Sequence, residues 1–419
     1  MMDRLIIKGK ADLKGSIQIK GSKNSALPIM VSALLSKNTL KLKNLPRLDD
    51  IDNMSKLLGS YGAIIKSKKD TLEIKCRNII NIDADYDIVR KMRASILILG
   101  PLIARFGKAR ISLPGGCAIG TRPIDIHLEG LRKLGANFQV ENGYVVGEVE
   151  KQLIGNHITL PFPSVGATEN IMMAASIAKG KTIIENAARE PEIIDLAMAL
   201  NKMGAKINVK NNGIIKIDGV NSLSQTSHKI MSDRIVAGTF VIAAVMLNKK
   251  FVVKDIESNH LKALTSSLTE MGAKLKIKKT SIQIMPTGKL NGIKIQTAPY
   301  PGFPTDLQAQ IMALMSLVNG NSQIKENIFE NRFMHVPELN RLGAKIRVKK
   351  DIALITGNRN LKGAQVMASD LRASVSLVLA ALCAEGESVI NRVYHLDRGY
   401  EKIEHTLGSL GPSIKREKY

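Results

Sequence analysis

A short phrase built around one glycine recurs six times along the 419 residues of this chain. An apolar residue or tyrosine precedes the glycine, alanine usually follows it, and polar and apolar residues then alternate. The six glycines are Gly62, Gly135, Gly204, Gly272, Gly343 and Gly411. They lie 73, 69, 68, 71 and 68 residues apart, and so even a spacing indicates a true internal repeat.

The phrase predicts a helix that ends on a glycine with positive φ, after which the chain turns back into a strand. A second, more apolar helix should precede each phrase, and its apolar surface on most sides predicts burial. These apolar helices are predicted at residues 24–35, 93–106, 168–178, 233–247, 305–318 and 369–384. Each unit therefore reads as strand, buried helix, strand, amphipathic helix, strand, strand, which is an α/β architecture.

One such unit cannot bury its apolar helix alone, so neighbouring units must share a core. Six units favour two lobes of three with a cleft between them, and an extended solenoid is the alternative. We expect residues 1–21 and 231–419 to form one lobe and residues 22–230 the other. The chain should cross between the lobes near residues 20–23 and 228–232.

The formal net charge is +24, which raises the alternative of a basic nucleic-acid-binding repeat protein. The basic residues are spread along the whole chain, aromatic residues make up 4% and tryptophan is absent. Because few side chains are available to stack on bases, we expect no nucleic-acid partner. The charge is better explained as a lysine-rich solvated surface that also steers anionic substrates.

The chain is expected to work in the cytoplasm. Three widely spaced cysteines argue against a disulfide framework. The longest apolar stretches fall short of the roughly 18 residues needed for a membrane span, so no membrane insertion is expected. The N-terminus has no apolar segment typical of a signal peptide. No histidine and cysteine spacing predicts a metal site.

The most unusual loop covers residues 113–123 and contains three glycines and Cys117. Arg122 follows five residues later, and a neighbouring guanidinium lowers the pKa of a thiol. Cys117 is therefore a candidate reactive residue, although an incidental cysteine in a hairpin is the alternative. Cys383, inside an apolar run, is expected to be a core residue, and Cys76 carries no functional signal.

Several arginines stand beside helix starts or sharp turns, where a cleft could collect anions. They are Arg93, Arg122, Arg332, Arg372 and Arg398. Any one of them alone is more typical of a surface or ion-pair residue, and only the set favours an anion site.

Two further segments enter predicted helices. Residues 163–168 have mostly small side chains and come at the start of a predicted helix. Such a segment could bind an anion through its free backbone N–H groups, or Ser164 could simply cap the helix. Asp306 is either a first-turn acid or a catalytic carboxylate. The sequence at Gly180, Lys181 and Thr182 looks like the end of a P-loop, but it precedes a strand, so nucleotide hydrolysis is rejected.

Together these motifs resemble one family, the UDP-N-acetylglucosamine 1-carboxyvinyltransferases. The resembling segments are residues 21–28, 92–95, 113–122, 164–168, 185–192, 303–306, 329–338, 370–374 and 397–401. The resemblance implies a two-lobed inside-out α/β barrel of six units, with the first strand returning to the second half of the chain. It also implies transfer of the enolpyruvyl group of phosphoenolpyruvate to the 3′-hydroxyl of UDP-N-acetylglucosamine, at the first committed step of peptidoglycan synthesis. No metal or organic cofactor is implied.

The resemblance also assigns roles to individual residues. Lys23, Arg122 and Arg398 would hold phosphoenolpyruvate, while Cys117 would protonate its C3 and Asp306 would take the proton of the sugar hydroxyl. Asn24, Arg93 and Arg372 would complete the phosphoenolpyruvate site. Contacts to the UDP-sugar would come from Asn24, Arg93, Arg122, Pro123, Ile124, Asp125, Ile126, Ser164, Val165, Gly166, Asp306, Ile328 and Arg332.

Two points qualify this assignment. Some relatives carry a lysine shortly before the Ser-Val-Gly turn, where this chain has Phe162 and Pro163. The shikimate-pathway enolpyruvyl transferase shares the fold and the donor and is the nearest rival. The loop around Cys117 and the turn at Ser164 favour the UDP-sugar branch.

Overall fold

The computed structural model describes residues 3–80, 83, 86–89, 92–113, 124–358 and 360–418. The strands within them are β1 (Asp3–Lys8), β2 (Ser16–Gln18), β3 (Thr39–Lys43), β4 (Ile64–Lys68), β5 (Thr71–Lys75), β6 (Lys108–Ser112), β7 (Asn137–Glu141), β8 (Tyr144–Glu148), β9 (His157–Thr159), β10 (Lys181–Glu185), β11 (Lys206–Val209), β12 (Ile215–Asp218), β13 (Thr226–Lys229), β14 (Phe251–Lys254), β15 (Lys274–Lys278), β16 (Ser281–Met285), β17 (Lys294–Gln296), β18 (Asn321–Lys325), β19 (Lys345–Lys349), β20 (Ile352–Thr356), β21 (Gln365–Met367), β22 (Glu387–Asn391) and β23 (Ile414–Lys418). The α-helices are α1 (Lys23–Ser32), α2 (Asp49–Ser60), α3 (Tyr86–Val89), α4 (Leu99–Phe106), α5 (Asp125–Lys133), α6 (Val165–Ala175), α7 (Pro191–Lys202), α8 (Arg234–Met246), α9 (Lys262–Glu270), α10 (Gln308–Met315), α11 (Val336–Arg341), α12 (Leu371–Cys383), α13 (Tyr394–Asp397) and α14 (Ile403–Gly408). Short 3₁₀ helices cover Ala33–Leu35, Arg93–Ile98, Ser258–Leu261 and Thr305–Leu307.

The same small sheet recurs through the described residues. A short strand pairs in parallel with the strand that follows a buried helix, and an antiparallel hairpin completes the sheet. Four sheets have this order without variation, namely β13-β3-β5-β4, β9-β10-β12-β11, β2-β14-β16-β15 and β17-β18-β20-β19. A fifth sheet, β6-β8-β7, has three strands. Asp83 makes a parallel bridge to Arg110 of β6, at the position that the short strand occupies in the other four sheets.

The sixth sheet joins the two ends of the chain. Its order is β21-β22-β1-β23, so the N-terminal strand lies between two C-terminal strands and is antiparallel to both. The first strand therefore does return to the second half of the chain.

The predicted glycine turns are confirmed at all six positions. The φ angles are 100° at Gly62, 101° at Gly135, 103° at Gly204, 100° at Gly272, 93° at Gly343 and 116° at Gly411. A residue with a Cβ rarely adopts these angles, so the glycine permits the sharp change from helix to strand.

The predicted apolar helices are also present, with shifted ends. The first predicted helix ends in a 3₁₀ turn, and two others, predicted from Arg93 and Thr305, begin with one. Helix α6 begins at Val165, three residues before its predicted start, because Ser164 caps it. These helices pack on one another, as α8, α10 and α12 do mutually and as α4 does on α6.

The described residues fall into two compact units. Unit 1 comprises those of Met1–Ile19 and Ser232–Tyr419, and unit 2 those of Lys20–Cys117 and Thr121–Met231. Each unit has a hydrophobic core of its own, formed mainly by its buried helices and the inner faces of its sheets.

The lysine-rich runs lie on edge strands. Lys274, Lys276 and Lys278 are exposed on β15, and Lys345 and Lys349 are exposed on β19. Both strands end their sheets, and charged side chains there oppose pairing with another chain. The structure therefore agrees with the prediction of a solvated basic surface at these strands.

Candidate functional site

Lys23 begins α1, the first buried helix of unit 2. Its Nζ lies 2.9 Å from Oδ2 of Asp50, in the first turn of α2, and the two side chains are only 12% and 2% exposed. Ser22 caps the helix by accepting a hydrogen bond from the backbone N–H of Ser25 at 3.4 Å. Lys23 is thus fixed at a helix start by a buried carboxylate that sequence reasoning did not single out.

A buried carboxylate further along the chain holds the next turn of α1. Asp195 accepts a hydrogen bond from Oγ of Ser25, and its Oδ1 lies 2.9 Å from Nε2 of His228. The backbone N–H of Met231 also donates to it, at 3.1 Å. Asp195 therefore ties the helix that carries Lys23 and Asn24 to the segment after β13.

The starts of α5 and α6 meet at the imidazole of His127. A Cβ on Gly166 would lie 3.0 Å from Cε1 of that ring, so the absence of a side chain permits the close approach. Nδ2 of Asn170 lies 3.1 Å from Nδ1 of His127. The same amide donates to the carbonyl of Ile96 and accepts from the N–H of Gly100, which fixes its orientation and makes Nδ1 of His127 the acceptor.

His127 is consequently a neutral imidazole protonated on Nε2. Burial, with the positive charge of Arg93 nearby, lowers its pKa to about 4. Arg93 and Gly166 are thus brought close to one buried ring, which itself belongs to the first turn of α5, directly after the predicted contact residues Ile124, Asp125 and Ile126.

Ser164 is the N-cap of α6, as one of the two sequence interpretations proposed. Its Oγ accepts from the N–H of Ala167 at 3.4 Å, and its carbonyl accepts from Oγ1 of Thr168 at 2.8 Å. Thr168 in turn accepts from the N–H of Ala188 at 3.0 Å. The cap thus joins the Ser-Val-Gly turn to the segment before α7.

In unit 1, two guanidinium groups hold the carboxylate of Asp306. Nη2 of Arg332 donates to Oδ1 at 2.8 Å, and Nη2 of Arg372 donates to Oδ2 at 2.9 Å. The arginine side chains are 4% and 6% exposed, whereas that of Asp306 is 26% exposed. The carboxylate is therefore oriented by buried cations and still reaches solvent.

Arg372 belongs to a wider polar network. Burial lowers the pKa of Arg372, but Asp306, Tyr400 and Asp233 together outweigh burial, so the net shift of the pKa is upward. Burial raises the pKa of Tyr400, the nearby charge of Arg372 partly offsets this, and the Tyr400 hydroxyl lies 2.8 Å from Oγ1 of Thr239. Arg372, which binds Asp306, is therefore also close to Tyr400, two residues after Arg398.

Glu326 positions the backbone beside Ile328, and sequence reasoning missed it. Its carboxylate accepts from the hydroxyls of Thr297 and Thr305, each at 2.9 Å, and from the N–H of Ile328, also at 2.9 Å. One buried acid thus joins the residue before Asp306 to the predicted UDP-sugar contact at Ile328.

Cys117, Arg122 and Pro123 lie outside the described residues, so their predicted roles remain predictions. The two described cysteines are free thiols. Burial raises the pKa of Cys76 and of Cys383 to about 12, so neither is a reactive thiolate near neutral pH. Cys383 is only partly buried by surface area, at the end of α12.

The described residues contain neither a cluster of metal-ligating side chains nor a membrane-spanning helix. No three histidine, cysteine, aspartate or glutamate side chains there are grouped as metal ligands would be. None of the helices described is both long enough and apolar enough to cross a membrane.

Known proteins resemble the chain over its whole length. The sequence model of the family EPSP synthase (3-phosphoshikimate 1-carboxyvinyltransferase) matches residues 7–407. UDP-N-acetylglucosamine 1-carboxyvinyltransferase of Gluconacetobacter diazotrophicus is 51% identical over 418 residues, which is 99% of each chain. The protein of the same name from Pelagibacter ubique is 51% identical over 415 residues, covering 99% of this chain and 100% of its own.

Solved structures show the fold. The enolpyruvyl transferase NikO from Streptomyces tendae superposes with a TM-score of 0.91 at 21% identity, over 100% of this chain and 99% of its own. EPSP synthase from Acinetobacter baumannii gives a TM-score of 0.77 at 17% identity, over 100% of both chains. The predicted enolpyruvyl transferase fold is confirmed. Because about half of its residues are identical to those of the named relatives over the full length, the chain is a transferase that belongs to the UDP-N-acetylglucosamine 1-carboxyvinyltransferase family.

Proposed function

We propose that this chain transfers the enolpyruvyl group of phosphoenolpyruvate to the 3′-hydroxyl of UDP-N-acetylglucosamine and releases phosphate, in the first committed step of peptidoglycan synthesis. The observation that carries the proposal is the 51% identity, over 99% of the chain, to proteins named for this acceptor. The charged groups in both units suit such anionic substrates.

The donor is a small molecule with a phosphate and a carboxylate, and it needs several cations. We assign Lys23, Arg122 and Arg398 to those two groups. Asn24, Arg93 and Arg372 support them. The ion pair between Lys23 and Asp50 supports this role, because it holds the ammonium group in one place before the donor binds.

We also assign residues to the acceptor. In unit 2 these are Asn24, Arg93, Ile124, Asp125, Ile126, Ser164, Val165 and Gly166. In unit 1 they are Asp306, Ile328 and Arg332. Arg122 and Pro123, which lie outside the described residues, are also assigned to the acceptor. Support comes from the grouping of Arg93 with the starts of α5 and α6 around His127, and from the link that Glu326 makes between Thr305 and Ile328.

The chemistry requires a base and an acid. Asp306 accepts the proton of the 3′-hydroxyl as that oxygen bonds to C2 of the donor, and Cys117 delivers a proton to C3. The bond from C2 to the phosphate oxygen then breaks, phosphate leaves with the electron pair, and C3 gives up a proton so that the double bond re-forms. The cations that bound the phosphate stabilise it as it leaves.

We also infer that the reaction takes place in the cytoplasm. The odd number of cysteines supports this compartment, as do the free thiols of Cys76 and Cys383.

Phosphate release from phosphoenolpyruvate tests the proposal directly. The wild-type chain is incubated with UDP-N-acetylglucosamine and, separately, with shikimate 3-phosphate, beside a Cys117→Ala variant. We expect release only with the UDP-sugar, and its loss in the variant. Release only with shikimate 3-phosphate would mean that the proposed acceptor is wrong and that shikimate 3-phosphate is the acceptor. This rival is included because the matching family model is described as 3-phosphoshikimate 1-carboxyvinyltransferase.

The role of Cys117 has an independent test. If this thiol is the reactive acid, fosfomycin should alkylate it. Intact-mass analysis after incubation should show one adduct on the wild-type chain and none on Cys117→Ala. If the wild-type chain stays unmodified, the assignment of Cys117 as the reactive acid is wrong.

A further inference from the structure

The C-terminal strand β23 carries a guanidinium that binds three carboxylates. Arg416 donates from Nη1 and Nη2 to the two oxygens of Asp397, at 2.9 and 2.6 Å. It donates from Nε and Nη2 to the two oxygens of Glu404, at 3.0 and 3.1 Å. A fifth hydrogen bond runs from Nη1 to Oδ2 of Asp3 at 3.3 Å.

This geometry uses two edges of the guanidinium as bidentate forks. Each fork orients its carboxylate in the guanidinium plane, which a lysine ammonium cannot do. The three acids come from β1, α13 and α14, so Arg416 connects three elements that are separate in sequence. Its side chain is 20% exposed, and water therefore screens these contacts less than it would on an open surface.

One of these forks binds Asp397, the residue directly before a proposed ligand of phosphoenolpyruvate. Asp397 is the last residue of α13, and Arg398 is the next residue along the chain. The residues after Arg398 are also constrained. A Cβ on Gly399 would lie 2.6 Å from Cδ2 of Leu371, and Tyr400 lies against Thr239 as described above. The backbone of Arg398 is thus held from both sides.

We propose that Arg416 is a positioning residue for phosphoenolpyruvate binding, acting through the Asp397 carboxylate on the turn that carries Arg398. The inference rests on the proposed function, since it takes Arg398 as a ligand of phosphoenolpyruvate. The guanidinium of Arg416 is bound by three carboxylates, so its loss should alter the site by releasing the turn.

Two isosteric variants separate positioning from general stability. Asp397→Asn and Glu404→Gln each remove one charge-assisted fork from Arg416, but only Asp397 adjoins Arg398. We expect both to lower the melting temperature. Asp397→Asn should raise the KM for phosphoenolpyruvate about tenfold and leave the KM for UDP-N-acetylglucosamine within about twofold. Glu404→Gln should leave both KM values within about twofold.

Arg416→Lys and Arg416→Gln give a second, independent series, in case Asp397→Asn fails to fold by circular dichroism. Lysine keeps the charge without the forks, so Arg416→Lys should raise the KM for phosphoenolpyruvate less than Arg416→Gln does. Equal KM shifts in Asp397→Asn and Glu404→Gln, or no shift in the folded Asp397→Asn or Arg416→Gln variant, would overturn the proposal.

Arg398→Lys distinguishes failure of this inference from failure of the proposed function. If Arg398→Lys leaves the KM for phosphoenolpyruvate unchanged, Arg398 is not a ligand, and the proposed site and the inference about Arg416 are both wrong. If Arg398→Lys raises that KM and Asp397→Asn does not, only the inference about Arg416 fails. If the wild-type chain uses shikimate 3-phosphate, the same KM comparison applies with that acceptor.

Discussion

Lys23 and Asp50 form an ion pair of 2.9 Å between Nζ and Oδ2 with little access to water, because their side chains are 12% and 2% exposed. The lysine starts one helix and the aspartate lies in the first turn of the next. A pair of this kind stabilises one position of the ammonium group, and breaking it costs more than breaking a surface pair. We therefore expect Asp50 to affect the binding of phosphoenolpyruvate through Lys23, without contacting the donor itself.

The Asp50→Asn variant tests this relationship. The amide keeps the shape of the side chain and removes its charge, so the Lys23 ammonium should lose its fixed position. We expect the KM for phosphoenolpyruvate to rise about tenfold and the free energy of unfolding to fall by about 3 kcal/mol. Steady-state phosphate release and urea denaturation measure the two effects.

Asp52→Asn is the matched control on the same helix. Asp52 is exposed, and its loss should change neither quantity beyond about twofold in KM or about 0.5 kcal/mol in stability. An unchanged KM in a folded Asp50→Asn variant would contradict the expected role.

Asp306→Asn should remove the proposed base. An amide cannot accept the hydroxyl proton, so kcat should fall by about a hundredfold to ten-thousandfold, with a smaller change in KM. Burst and steady-state phosphate release give kcat. Asp351→Asn is the control, because Asp351 is a half-exposed acid of the same unit that pairs with Lys325. A kcat within threefold of wild type in Asp306→Asn would argue against a base at this position.

The fold was predictable because its main determinants are local. A glycine that ends a helix and an apolar helix that must be buried each leave a pattern in a few consecutive residues, and six copies repeat it. Helix ends were less predictable. Ser164 starts α6 by a side-chain cap, and the small residues after it gave no periodic signal.

The partners of the predicted site residues were not predictable, because they lie far away in sequence. Asp50 is 27 residues from Lys23, Arg372 is 66 from Asp306, and Asp195 is 170 from Ser25. No local pattern distinguishes these acids from the many that face solvent, and only the fold brings each to its cation or hydroxyl. Motif resemblance predicted the ligand candidates but not the residues that hold them.

The buried histidines predict how stability depends on pH. His127 has a pKa of about 4 in the folded chain because of burial and the charge of Arg93, against an ordinary value near 6.5. Between these values the unfolded chain binds more protons, so stability is lost as pH falls from 6.5 towards 4. The difference amounts to about 3 kcal/mol at pH 4.

His335 adds to the same slope, since burial, only partly offset by Asp370, also lowers its pKa to about 4. His127→Gln should therefore flatten the slope without abolishing it. Urea denaturation at pH 4.5 and 7.5 measures this. His157→Gln is the control, because His157 is 57% exposed by its side chain. Equal pH slopes in wild type and His127→Gln would contradict the buried neutral imidazole.

A buried acid predicts the opposite dependence. Glu169 lies in α6 among buried residues, and burial, together with the charges of Glu192 and Glu190, raises its pKa well above the ordinary value. Above pH 4.5 the folded chain therefore holds a proton that the unfolded chain releases, and this group lowers stability as pH rises. Glu169→Gln keeps the shape and is neutral at every pH. We expect it to melt at a higher temperature than wild type at pH 8 and at nearly the same temperature at pH 4.5.

The comparison needs the same substitution at an exposed glutamate. Glu150→Gln serves, because Glu150 is exposed in the same unit and should shift the melting temperature little at either pH. If Glu169→Gln were destabilising at pH 8, the carboxyl group would be making a favourable contact that outweighs its burial, and α6 would depend on it. If Glu169→Gln instead raises the melting temperature only at high pH, the acid at position 169 lowers the stability of the chain. Such a cost beside the Ser-Val-Gly turn is expected of a residue kept for function.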